Sequence, residues 1–177
     1  MSQKTKWIID AAHSEIGFKV KHMMFTNVSG KVTKCAAIIE TDADDFTNAI
    51  IDFTGETDSI TTSNADRDAH LLSPDFFDAA QFPKINFMAT SFNKVDEADF
   101  ELNGDLTLHG VTKPIKLAVE FGGLMKDPWG NIKAAFSING KIDRKDWGLT
   151  WNAALETGGV LVSDEVKIIA DVQLIKQ

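Results

Sequence analysis

The feature that most constrains this chain is an alternation of polarity, with a period of two residues, that recurs along most of its length. Ile16, Phe18 and Val20 alternate with Glu15, Lys19 and Lys21. Ile51 and Phe53 alternate with Asp52, Thr54 and Glu56, and Ile50 breaks the polar parity. Phe100, Leu102, Leu106 and Leu108 oppose Glu101, Asn103, Asp105 and Thr107, with Gly104 on the apolar parity where a bulge or bend fits. Ile115, Leu117, Val119 and Phe121 stand against Lys116 and Glu120. Ile132, Ala134, Phe136, Ile138 and Ile142 face away from Lys133, Ser137, Asn139 and Lys141. Val166, Ile168, Val172 and Leu174 close the chain opposite Lys167, Asp171 and Gln173. Successive side chains of a strand point to opposite faces, so each segment reads as a strand with one buried and one wet face. One-sided sheets of this kind are antiparallel.

Further strands are expected over 7–10, 28–33, 36–40 and 85–93, which makes about eight to ten in all. Polar turns are expected at 94–99, 109–114 and 122–130. Asn139 and Gly140 are a hairpin signal, but a turn there would strand Lys141 and Ile142 before a polar run, so they read as a bulge. Ser63 followed by Asp66 reads as a capping box for a helix through Leu72, and Pro74 opens another turn. Residues 59–83 are therefore a helical insertion between strands, and a single turn at 143–147 is stopped by Gly148. The expected fold class is all-β: an antiparallel barrel of about eight strands and lipocalin size, with a short helical insertion near residues 63–78. A two-sheet sandwich is the competitor. An eight-stranded barrel can enclose one small ligand, whereas a sandwich fills its own core.

At 177 residues, folding buries about 70% of the chain's surface, so a single domain over 1–177 with one core is expected. Its aromatic residues are 12 Phe and 4 Trp with no Tyr, so only the indoles among these rings need polar partners. A dry, hydrocarbon-like interior follows. A net charge of −8 opposes binding to nucleic acid or to anionic membrane surfaces. Cys35 is the sole cysteine, which excludes an internal disulfide, and it reads as a small buried thiol. Residues 1–10 hold too few apolar side chains for a secretory signal, and no segment approaches a membrane span. The expected location is cytoplasmic, or periplasmic or secreted if a leader was trimmed away.

His13, His22, His70 and His109 show no metal-ligand spacing and read as turn-bonding groups. Asp10, His13 and Ser14 invite a triad reading, but the nucleophile-elbow motif is missing. Asp66, Arg67, Asp68 and His70 form a dense polar run flanked by Leu71, Leu72, Phe76 and Phe77. Either Arg67 and His70 receive the anionic or quinone head of an amphiphile, or Arg67 pairs with a neighbouring carboxylate and holds the insertion to the barrel. Met23, Met24 and Phe25 suit a pocket lining or a core equally well. Trp129, Trp147 and Trp151 suit either a sugar-stacking platform or the plug of a barrel end.

The ordered blocks are themselves distinctive. Trp7, Ile9, Asp10, His13, Ser14, Ile16, Phe18, Val20, His22 and Met23 form the first, and Arg67, Asp68, His70, Leu71, Ser73 and 75–78 with Phe82, Pro83, Ile85 and Phe87 the second. Residues 104–113, 127–130, Arg144 with 146–149, Trp151 and Asn152, and 162–168 follow. Over essentially its whole length the sequence resembles the YceI-like family of lipid- or polyisoprenoid-binding domains. That resemblance implies an extended, lipocalin-like barrel whose apolar tunnel carries a long isoprenoid lipid, such as a polyprenyl diphosphate or ubiquinone. It implies carriage, storage or sensing with no established reaction, and no catalytic residue, metal or catalytic cofactor is expected. Tunnel candidates on the inward parity are Ile16, Phe18, Val20, Phe53, Leu106, Leu108, Leu117, Val119, Phe136 and Ile138. Met23, Leu71, Phe76, Phe77 and Trp147 are candidates to cover the ends, with Arg67 and His70 at the head group. The partner expected is the isoprenoid lipid, with no nucleic acid and no embedding in a membrane, and with a homodimer left open. The alternatives are a carbohydrate-binding module using Trp129, Trp147 or Trp151, and an enzyme acting through His13, His70 or His109.

Overall fold

The computed structural model describes residues 3–155 and 159–177; Met1 and Ser2, part of the amino-terminal segment read above, lie outside the described residues. The strands are β1 (Lys4–Ile9), β2 (Glu15–His22), β3 (Thr26–Val32), β4 (Cys35–Asp42), β5 (Asp45–Glu56) and β6 (Ile60–Thr61). After the helix α1 (Ala65–Leu72) come β7 (Lys84–Lys94), β8 (Asp99–Leu108), β9 (Val111–Lys126), β10 (Ile132–Asp143) and β11 (Val162–Lys176). All pairings are antiparallel, and the ring β1-β4-β5-β7-β8-β9-β10-β11 closes on itself through β1 and β11. This is the expected eight-stranded barrel with one short helix.

The barrel is extended because its first strand is broken rather than ended. β1 and β2 follow one another along the same edge of β11, with Ile9 opposite Leu174 and Glu15 opposite Asp171. A 3-10 turn at Ala11–His13 separates them, and the chain stitches the gap by bonding both sides of Gln173. Asp10 N donates to Gln173 O at 2.8 Å, and Gln173 N donates to Ser14 Oγ at 2.9 Å. The Asp10 carboxylate takes Lys133 Nζ at 2.6 Å and His13 Nδ1 at 2.8 Å, and the Lys133 hydrogen bond above all holds its pKa below the ordinary value. Past this break β2 leaves the ring and carries β3 and β6 as a flap. The triad reading fails on geometry, because Ser14 is engaged with Gln173 and not with His13.

The insertion between β6 and β7 is pinned at its base, where Thr57 N and Oγ1 donate to the carbonyls of Pro83 and Phe82. Its helix is capped by Asn64, whose side chain accepts from Arg67 N, and not by Ser63, which sits at φ 64°. Other local expectations need correcting. Asn139 and Gly140 pair with Ile169 and Ile168 without a register shift, so they are neither turn nor bulge. Glycine is needed at 140 because Leu117 packs where a Cβ would stand. The irregularity of that strand lies at Ala135 and Phe136, against the Gly122–Gly123 pair that the sequence suggested as a turn. β9 runs through those glycines, and the true turn begins at Asp127, whose Oδ1 accepts from Trp129 N and Asn131 N. The turn expected over 109–114 is only His109 and Gly110, both at positive φ. The bulge suggested by Gly104 lies on the facing strand, between Ala89 and Ser91, while Gly104 makes room for the Phe87 ring.

Candidate functional site

The inward parity of the barrel does not fill its own interior. It surrounds a cavity of about 590 Å³, within the range of sites that hold a small molecule. Ile16, Phe18, Val20, Phe53, Leu106, Leu108, Leu117, Val119, Phe136 and Ile138 line its wall. The wall also takes Ile115, Ile142, Val166, Ile168, Val172 and Leu174 from the same alternating strands.

One end is shut. Trp7, Phe46, Phe92, Phe100, Phe121 and Phe136 pack as a connected set of rings, with Phe46 5.0 Å from both Trp7 and Phe136, and Phe121 stacked 5.0 Å from Phe136. Phe92 stacks on Phe100 at 4.7 Å. The Trp7 indole, fully buried, donates from Nε1 to Thr41 Oγ1 at 2.9 Å, which supplies its polar need without breaching the apolar floor.

The other end carries every polar side chain of the wall: Lys21, His22, Thr62, Asp66, Arg67, His70 and Arg144. Helix α1 turns Asp66, Arg67, His70 and Leu71 toward the cavity, the spacing of one helical face. Asp68 fastens that helix, accepting from Thr62 N at 2.7 Å, Thr62 Oγ1 at 2.6 Å and Thr61 Oγ1 at 3.0 Å. Burial pushes its pKa up, yet the bonds from Thr62 and Thr61 and the charge of Arg67 outweigh this and leave it below the ordinary carboxylate value. Arg67 Nε and Nη2 donate to Thr62 Oγ1 and O at 2.7 and 2.9 Å, which points the guanidinium across the mouth. No carboxylate within 4.0 Å pairs it among the described residues. His70 Nε2 meets Asp75 at 2.9 Å, and its ring stands edge-on to Phe76 and Trp151 at 5.1 and 4.7 Å, forming an aromatic collar.

Arg144 frames the opposite side of the mouth. It is 4% exposed, and its guanidinium donates to the carbonyls of Leu149, Trp151, Val162 and Ser163. Burial lowers its pKa, an effect that Asp164 and Asp143 counter. It thereby ties residues 149–151 to the start of β11.

Of the fifteen apolar candidates read from the sequence, thirteen line this cavity, including Leu71, Phe76 and Phe77 near the mouth. Two do not. Met23 lies on an exposed hairpin, and Trp147 is 2% exposed, plugging the wall from behind with Nε1 donating to Leu106 O at 2.9 Å. Arg67 and His70 both face the mouth. A buried Trp147 offers no face to a sugar, Trp151 is engaged in the collar, and exposed Trp129 sits on the distant turn after β9. His13 lies outside at the β1–β2 break, and His109 bonds Trp147 O at 3.1 Å, so His13, His70 and His109 do not converge.

The same ordered features recur in known proteins. A family model described as the YceI-like domain matches residues 7–174. The chain belongs to the YceI-like family. UPF0312 proteins of Staphylococcus aureus are 36% identical over 170 residues, covering 96% of either chain. The crystal structure of the Campylobacter jejuni YceI protein is 34% identical, covers 95% of this chain and 96% of its own, and superposes with a TM-score of 0.77. Burkholderia cenocepacia BcnA shares the fold at 19% identity with a TM-score of 0.80, covering 93% of this chain and 98% of its own. A polyisoprenoid-binding domain from Saccharophagus degradans shares it at 13% identity and a TM-score of 0.70, covering 97% of this chain and 98% of its own.

Among the residues of this YceI-like site that the sequence reading did not single out are Phe46, Phe92 and, as a buried frame, Arg144. Phe46 and Phe92 each lie past a parity switch, at Asn48 with its φ of 61° and at the bulge after Ala89, so simple alternation points them outward. Arg144 stands in a run of charge that looks solvated. Only its place in the ordered family block with residues 146–149 hinted otherwise.

Proposed function

We propose that this YceI-like barrel is a non-catalytic carrier of a long isoprenoid lipid, a polyprenyl diphosphate or a prenylated quinone, with the tail in the cavity and the head near Arg67 and His70. The observation that carries the proposal is the polarity gradient: an apolar cavity shut at one end by rings, with all of its polar side chains at the other. A molecule with a hydrocarbon body and a single polar end complements that gradient. From Val166 to Leu174 the β11 wall advances roughly 20 Å along the axis, at about 3.3 Å per residue and a tilt near 40°. That depth suits about four extended isoprene units, each about 5 Å long from bonds of about 1.5 Å. Burying each unit is worth roughly 4 kcal/mol gross, enough to exceed the cost of association within a few units. The fold shared with a polyisoprenoid-binding domain supports the reading.

Native mass spectrometry of detergent-free protein, followed by organic extraction, tests it. The expected result is a bound prenyl species that is lost when Ile168, midway along the wall, is replaced by Trp while the fold is kept. Absence of any prenyl species, together with no uptake of added prenyl quinone, would overturn it.

A further inference from the structure

We infer that the β2–β3 hairpin and the lysine row beside it form a docking surface for an anionic lipid bilayer. The hairpin tip is Met23, Met24 and Phe25, exposed by 51%, 60% and 87%. Phe25 N donates to His22 O at 3.2 Å, and the two central residues, Met23 and Met24, have φ of 56° and 60°. Such a turn normally uses Asn and Gly, which tolerate positive φ. Here the chain accepts that backbone while holding long apolar side chains in water. None of the three lines the cavity, although Lys21 and His22 just before them do. Tunnel lining therefore does not account for the tip. Val160, on the segment against which Met24 rests, is 38% exposed and extends the same apolar surface.

The outer face behind the tip carries a row of lysines, bounded toward the tip by the cross-strand pair Asp143 and Glu165. Lys141 pairs in register with Lys167, and Lys167 with Lys19, while Lys31 lies on the outward parity of the flap. Glu165 lies 3.7 Å from Lys141, but Lys19, Lys31 and Lys167 have no ion-pair partner among the described residues. Like charges directly opposed across a ladder weaken a sheet. An anionic surface would turn that cost into attraction. The chain's net charge of −8 works against approach, but at physiological salt the screening length is about 8 Å, so near contact the local row dominates. Apolar side chains flanked by Lys are the composition that seats a structure in a bilayer interface. The purpose of docking rests on the carrier reading, because the tip adjoins the mouth through which a lipid would pass.

Flotation of the full chain with vesicles of phosphatidylglycerol or of phosphatidylcholine tests the inference. The expected result is binding to phosphatidylglycerol that falls with added salt. Combined Met23→Ser and Phe25→Ser weakens it by at least about tenfold, the scale of losing one buried Phe. Lys19→Glu with Lys167→Glu abolishes the preference for phosphatidylglycerol. Near-ultraviolet circular dichroism checks that the variants are folded. Binding to neither vesicle, unchanged binding by the tip variant, or loss of a dimer instead of vesicle binding would overturn the inference. Lipid extracted from the same samples separates the two readings. Prenyl lipid without vesicle binding refutes docking alone, and vesicle binding without any prenyl lipid refutes carriage alone.

Discussion

The two ends of the barrel solve opposite problems. At the shut end the strands of the ring continue to their turns, and rings from β1, β5, β7, β8, β9 and β10 interlock, so backbone groups are paired by the ladders and the core is hydrocarbon. At the mouth β2 has left the ring, and irregular chain bridges the gap. There buried carbonyls and N–H groups need side-chain partners, and Arg144, Asp68 and Thr57 supply them. The contrast separates work: the floor carries packing energy, while the mouth carries a polar frame that leaves Arg67 directed at the opening.

The floor depends most on Phe136, which touches Phe46, Phe92 and Phe121. Phe136→Ala is expected to cost about 3–5 kcal/mol in denaturant unfolding, as large core truncations do. A loss near that of an ordinary surface change would mean the floor does not carry stability. Next in size is Arg144→Leu, which strips the donors from four carbonyls and is expected to cost about 2–3 kcal/mol. Limited proteolysis should then cut within 149–155, while the floor keeps its protection from hydrogen exchange. Equal loss of protection at both ends would contradict the division.

Arg67→Ala sharpens the comparison from the other side. Stability is expected to change by about 0.5 kcal/mol or less, as at exposed positions. Affinity for a diphosphate-headed prenyl lipid falls about tenfold, the scale of a charge-assisted bond, with little effect on a neutral-headed one. Titration with both lipids measures this, and equal losses would remove Arg67 from the head-group site.

The smallest effect is acid sensitivity of the mouth. Folding lowers the Asp68 pKa below 3.8, so its ionised form stabilises the fold in full at pH well above that value, and the contribution is lost as pH falls through the folded pKa. Asp10 and Asp127 shift in the same direction, so the informative quantity is the difference between wild type and Asp68→Asn across the acid range. That difference should shrink toward low pH. A constant difference would show that Asp68 acts as a neutral hydrogen-bonding group.

Much of the wall was legible because strand alternation is a local property, set by the backbone and the polarity of each residue. Ile16, Phe18, Leu106, Leu117 and Ile138 are inward by parity alone. The strand turned inward at Phe92 was not, since a single extra residue in one strand reverses every later side chain. Trp147 reads from the sequence as a candidate to cover a barrel end, but only the packed wall shows that its ring lies behind it, tied to Leu106 O.

An antiparallel, one-sided sheet, a helical insertion between its strands, and a dry interior free of phenols are local properties, because each follows from neighbours within a few residues. Tertiary structure decided whether that interior is hollow, where the ring opens, and which charges face the opening. Those depend on closure of β1 against β11 and on the departure of β2 at the Asp10–Ser14 break. Closure and departure are contacts across more than a hundred residues of chain, and no local pattern encodes a contact at that range.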